Sequence, residues 1–159
     1  MSYVTFEYFK SLYAGDITEA QFNNLEWDAR RMIDTNTTGI DNVRKLRVAF
    51  PVDEEDAEAV KRCVCKLIKL MYDIAEAEKS RGVVHRSDGS VVSGPIASVS
   101  SGSESVSYAA NGGTALDAAV SDIWERNRLY IQTVREMLSG VTDANGVCLL
   151  YMGVYPYVL

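Results

Sequence analysis

Residues 51–82, PVDEEDAEAVKRCVCKLIKLMYDIAEAEKSRG, decide the fold class. Asp53 stands two residues after Pro51, where its carboxylate can accept hydrogen bonds from the free amides of a helix's first turn, and Gly82 supplies a stop. Glu54, Glu55, Asp56 and Glu58 crowd the end at which the helix dipole favours negative charge. Val60, Val64, Leu67, Met71, Ile74 and Ala75 then recur at helical spacing, so one apolar stripe runs to about Ser80. A helix of that length must bury its stripe against other helices, and the chain is read as mainly α.

Working outward, a short helix is expected from about residue 5 to 13, because Phe6, Phe9 and Tyr13 share one side before Gly15 interrupts. Thr18 and Gln21 fit a capping box, and Ile17 and Phe22 a hydrophobic staple, at the start of a second helix. Its stripe is Phe22, Leu25, Ala29, Met32 and Ile33, and it should end near Asp34, where Thr35 to Gly39 offer side chains that compete with the helical backbone. A link over residues 41–49 can form a helical turn. A last helix is expected from Ala115 to about Ser139, with Thr114 and Asp117 as a capping box. Leu116, Val120, Ile123, Tyr130, Ile131, Val134 and Leu138 would face inward, and Gly140 closes it.

The pattern changes between the two long helices. Val83-Val84-His85, Asp88-Gly89 and Val91-Val92 read as a tight hairpin with a favoured turn dipeptide. It continues into a Ser/Gly-rich run, residues 93–107, where Ile96, Val99, Val106 and Tyr108 are spaced among serines and small residues. That composition can pair as strand or remain a solvated loop. The expected architecture is one domain over residues 1–159. It is a small helical bundle (about 5–80 and 114–139) with a protruding β-hairpin or extended loop (82–110) and a short apolar C-terminal tail (141–159).

The 159 residues suit one ordinary domain, able to bury roughly 70 % of its unfolded surface without staples. Three cysteines and no export signal point to reduced thiols, and no apolar run approaches the roughly 20 residues that cross a bilayer, so a cytosolic chain is expected. The net charge of −6 argues against gripping nucleic acid. Arg44-Lys45-Leu46-Arg47, the nearest approach to a basic stretch, reads as a short solvated helix face.

Catalytic patterns are missing. His85 is the only histidine, and its neighbours Ser87 and Asp88 on an exposed turn cannot converge as a triad does. Cys63 and Cys65 stand two apart on a helix and diverge by about 200°, so they cannot share a zinc ion; a core and a boundary cysteine are expected instead. No Gly-Lys-Ser/Thr follows the glycines of residues 93–113, so no phosphate-cradling loop is formed. The carboxylate pairs Asp53/Asp56 and Glu76/Glu78 read as solvated helix faces. No catalytic activity, metal or cofactor is expected.

Four pieces taken together, ITEAQFNNLEWDARRMIDT (17–35), VKRCVCKLI (60–68), SVSYA (105–109) and LLYMGV (149–154), are similar to the head-to-tail connector, or adaptor, proteins of long-tailed bacteriophages. The resemblance covers most of the chain in order; residues 155–159 run past where related chains often stop, and the Ser/Gly-rich run is longer than its pairing needs. It implies a virion structural protein of the neck, present in the host cytoplasm during assembly. Its copies would form a homo-oligomeric ring, a dodecamer by family resemblance, on the portal protein. The ring would extend the DNA channel, with DNA only as transiting cargo, and offer a platform to the next neck, stopper or tail-completion protein.

The residues fit that reading: a negative subunit repels the phosphate backbone, and unpaired strand edges complete their hydrogen bonds on another chain. The expected contact residues are Val83, Val84, His85, Val91, Val92, Ile96, Val99, Val106 and Tyr108 of the hairpin segment, and Leu149, Leu150, Tyr151, Val154 and Tyr155 of the tail. The tail has an alternative, a strap over the chain's own core. The alternatives in function are a helical regulator or adaptor that binds a single host or phage protein without forming a ring, and an enzyme accessory subunit.

Overall fold

The capping box at Thr18 sets the first long helix. The Gln21 amide donates to Thr18 Oγ1 at 3.3 Å, and the Thr18 amide donates to Gln21 Oε1 at 2.9 Å, so two otherwise unpaired helix-end donors are satisfied reciprocally. The structure is a computed structural model and describes residues 2–80, 84–85, 91–92, 98–101, 104–107 and 115–156. Among these the chain is mainly helical: α1 Phe6–Leu12, α2 Glu19–Asn36, α3 Lys45–Val48, α4 Glu54–Ser80, α5 Ala115–Ser121 and α6 Ile123–Met137. Four short strands lie between α4 and α5. β1 (Val84–His85) pairs antiparallel with β2 (Val91–Val92), and β3 (Ser98–Ser101) with β4 (Glu104–Ser107). Val83, Asp88, Gly89, Ile96, Tyr108 and Thr114, each named in the sequence reading, lie outside the described residues.

The chain divides into two compact units, Met1–Met71 with Tyr130–Leu159, and Tyr72–Leu129. In the first, Phe22 meets Phe6 and Phe9 with ring centroids 5.4 and 5.5 Å apart, which seats α1 on α2. Tyr8 donates to Glu58 Oε1 at 2.7 Å, tying α1 to α4. Asp53 Oδ1 accepts from the amides of Glu55 and Asp56 at 3.0 and 3.1 Å, the expected cap of α4. Val60, Val64 and Leu67 are fully buried, as the stripe requires, while Met71 is half-buried. Cys63, Cys65 and Ile68 are fully buried too, so the core-facing side of α4 is wider than the stripe read from sequence, and both cysteines are core residues where one was expected at the boundary.

Three further expectations are corrected. α2 runs past Asp34 to Asn36, because the Thr37 and Thr38 hydroxyls donate to the carbonyls of Ile33 and Asp34 at 2.9 and 2.5 Å and satisfy the last turn instead of ending it early. Glu26 and Asp34 are buried on that helix, whereas Leu25 and Met32 are half-buried. The last helix is two helices. Asp122 separates them by accepting the Trp124 amide on its own side chain at 2.7 Å, as aspartate does at a helix start. Arg126 satisfies the end of α5 through the carbonyls of Ala119 and Val120, at 3.0 and 3.4 Å, and pairs with Glu78. Ile123, expected inward, is 65 % exposed.

Leu67→Ala should destabilise the chain by about 2–5 kcal/mol, the usual effect of emptying a closed aliphatic site. Ile131 is only half-buried, so Ile131→Ala should lower stability by about 1–2 kcal/mol. Urea denaturation of both variants checks this, and an unchanged midpoint for Leu67→Ala would contradict the packing of α4.

Candidate functional site

The C-terminal segment is built by turns. Gly140 leaves α6 with φ +82, a left-handed conformation that glycine adopts without strain, and Gly146 repeats it at φ +74. Between them Asp143, buried, folds the chain around its own carboxylate. Oδ1 accepts from the amides of Asn145 and Val147 at 2.9 Å each, and Oδ2 accepts from Tyr155 Oη at 2.5 Å. Thr142 donates twice to Asp56 Oδ2, from its amide at 2.9 Å and its hydroxyl at 2.7 Å, which fixes the segment to the first turn of α4.

Residues 148–155 then cross the loop between α2 and α3 as a strap. The Ile40 amide donates to the Met152 carbonyl at 3.0 Å, and the Tyr155 amide to Asp41 Oδ2 at 2.6 Å. That last bond is the main reason the Asp41 carboxyl titrates below its ordinary range. The two segments come so close that a Cβ at Gly39 would stand 2.5 Å from the Gly153 carbonyl oxygen.

Lys45 closes the arrangement. Its side chain is fully buried, and its ammonium donates to the carbonyls of Leu149 at 3.0 Å, Cys148 at 3.3 Å and Tyr151, with the Tyr151 ring centroid 5.6 Å away. Three donors meet three acceptors, which is what allows a charge to sit out of water. Burial pulls its pKa below the ordinary lysine value, and the Asp143 and Asp41 carboxylates oppose that shift. The reading of residues 44–47 as a solvated face is therefore corrected. α3 is a single turn whose Lys45 and Leu46 point inward while Arg44 and Arg47 face solvent.

The expected contact residues of the tail separate into two groups. Leu149 and Tyr155 are buried within their own unit, as the strap alternative holds, and Leu150 is half-buried. Tyr151, Val154 and Met152, the last unmarked by sequence, are exposed, and beside them Ile40 is 77 % exposed. Of the hairpin candidates, Val84, His85, Val91, Val92, Val99 and Val106 stand in the four strands, with Val84 opposite Val92, His85 opposite Val91 and Val99 opposite Val106. No signal in the sequence marks Lys45 as buried; four consecutive residues are too few for a helical period to declare its inward side.

Among the described residues, no group of three His, Cys, Asp or Glu side chains could hold a metal ion, and no helix is long and apolar enough to cross a membrane. Burial pushes the Cys63 and Cys65 thiols up to about 12 each, so neither is a thiolate at neutral pH. No family model, curated protein or solved structure matches the chain.

These thiols give the fold an alkaline limit. They titrate near 9.0 when unfolded and about 12 when folded, so the stabilisation they lend is complete below about pH 9 and is lost as pH rises towards about 12. Tyr8, raised from 10.0 to about 12 first by burial and then by its bond to Glu58, acts in the same direction. Lys45, with its lowered pKa, acts in the opposite one below its unfolded value of 10.5. Urea midpoints should fall across that range, and Cys63→Ala should make the fall shallower. A midpoint independent of pH there would contradict the buried-thiol assignment.

Proposed function

We propose that the chain is a structural subunit rather than an enzyme: a head-to-tail connector of a long-tailed bacteriophage. Its copies close into a ring on the portal vertex, extend the DNA channel and offer a platform to the next neck or tail protein. The observation that carries the reading is the strap. Ile40, Tyr151, Met152 and Val154 stand exposed on a backbone that Lys45, Asp41 and Asp143 hold in place. Apolar side chains presented on an already ordered edge lose little further conformational freedom on docking, which favours a permanent contact. The occupant is a second copy of the chain in the ring.

Two further features support the reading. A net charge of −6 per subunit suits a conduit that DNA must slide through without sticking, since like charge repels the phosphate backbone. The strand pairs β1–β2 and β3–β4 are short two-stranded elements, and an open strand edge is completed by another chain; we assign them to a hairpin protrusion that meets a neighbouring subunit or the portal.

The test is mass in solution together with electron micrographs of the purified chain, alone and with portal rings of the same virus. Rings are expected from the unaltered chain. Met152→Asp with Val154→Asp should leave helicity by circular dichroism unchanged and abolish ring formation, because two carboxylates would be buried without partners. A one-to-one complex with a single partner protein, or rings formed equally well by the doubly substituted chain, would contradict the proposal.

A further inference from the structure

In a chain of net charge −6, four arginines line one groove of about 730 Å³: Arg30 and Arg31 from α2, Arg44 and Arg47 from the turn of α3. Two of them are already neutralised. Arg47 Nε lies 2.8 Å from Asp34 Oδ2, and Arg30 pairs with Glu26 at 3.8 Å along the helix. Asp34 is itself buried, and its other oxygen accepts from Tyr3 Oη at 2.6 Å. Arg31 and Arg44 are exposed, and among the described residues neither has a carboxylate within ion-pair range. Arg31 instead lies over the ring of Trp27, 5.3 Å from its centroid, and Trp27 is 51 % exposed in the same groove.

We infer that this groove binds an acidic peptide segment of a partner protein, with a carboxylate held between Arg31 and Arg44 and a neighbouring apolar side chain laid against Trp27. The inference stands apart from ring formation. Guanidinium forks match a carboxylate in two-point geometry, and a stacked guanidinium is held ready for it. An adjoining groove shares Trp27, Arg30 and Arg47 and adds Val48, Phe50 and Lys61, so apolar and cationic surface continue side by side. In an extended peptide, successive side chains turn to opposite faces, which suits a lining that alternates in this way. A phosphodiester strand fits less well. It carries a charge at every residue, whereas the lining alternates cationic with apolar surface.

The groove carries its own reporter. The chain has two tryptophans, so Trp124→Phe leaves Trp27 as the sole indole. Titrating that protein with an alternating Glu-Leu hexapeptide should shift Trp27 emission saturably. Arg31→Gln with Arg44→Gln should weaken the binding by about tenfold or more, as expected for loss of charge-assisted hydrogen bonds. Lys66→Gln with Arg135→Gln changes the net charge equally at exposed positions elsewhere and should leave the titration unaltered. Equal weakening by both pairs, no saturable shift, or tighter binding of hexathymidylate than of the Glu-Leu peptide would each overturn the inference.

Discussion

A buried ammonium cannot be left unpaired, and the Lys45 side chain is where that constraint organises this protein. The carbonyls that satisfy it belong to Cys148, Leu149 and Tyr151, more than a hundred residues away in sequence. Forming the single turn of α3 and seating the C-terminal strap are therefore one event. If the strap lifts, three carbonyls and one charge lose their partners together; if α3 unwinds, the strap loses its anchor. The neighbouring bonds point the same way, because Asp41 takes the Tyr155 amide and Asp143 its phenol. The strap is held by these polar groups together with the buried side chains of Leu149 and Tyr155.

That division of labour explains which apolar residues the strap exposes. Leu149 and Tyr155 face the core and close it, while Tyr151, Met152 and Val154 are left outward with Ile40 beside them. The polar anchors fix the backbone on which this outer edge is presented, and the connector proposal rests on that. The cations follow a similar logic: burying Lys45 turns Arg44 and Arg47 outward on the same short turn, where they face the arginines of α2 across a groove.

The long helices were legible in the sequence because their signals are local. Thr18, Gln21 and Asp53 cap the helices they precede, and the stripe Val60, Val64 and Leu67 is buried. What was not legible depends on partners distant in sequence. Nothing near Glu26 and Asp34 in the sequence announces their burial, because the Tyr3 amide and phenol that bond them come from the N-terminal segment. The break at Asp122 escaped because the apolar period runs through it unchanged, while one side chain captures the Trp124 amide. In the tail, composition announced an apolar segment, but which of its residues turn inward depends on the distant anchors Lys45, Asp41 and Asp56.

The central claim is that the Lys45 ammonium holds the strap, and hydrogen exchange of residues 141–156 in Lys45→Met measures it most directly. Methionine keeps the length and apolar stem of the side chain and removes only the charge and its three donors. The account predicts that amides of the strap, including those of Tyr151 and Tyr155, exchange at least about tenfold faster, because loss of one buried charge-assisted set lowers the local opening free energy by more than about 1.4 kcal/mol. The amides of α2 and α4 should keep their protection. Unchanged exchange in the strap would contradict the claim, as would a uniform loss of protection through both helices.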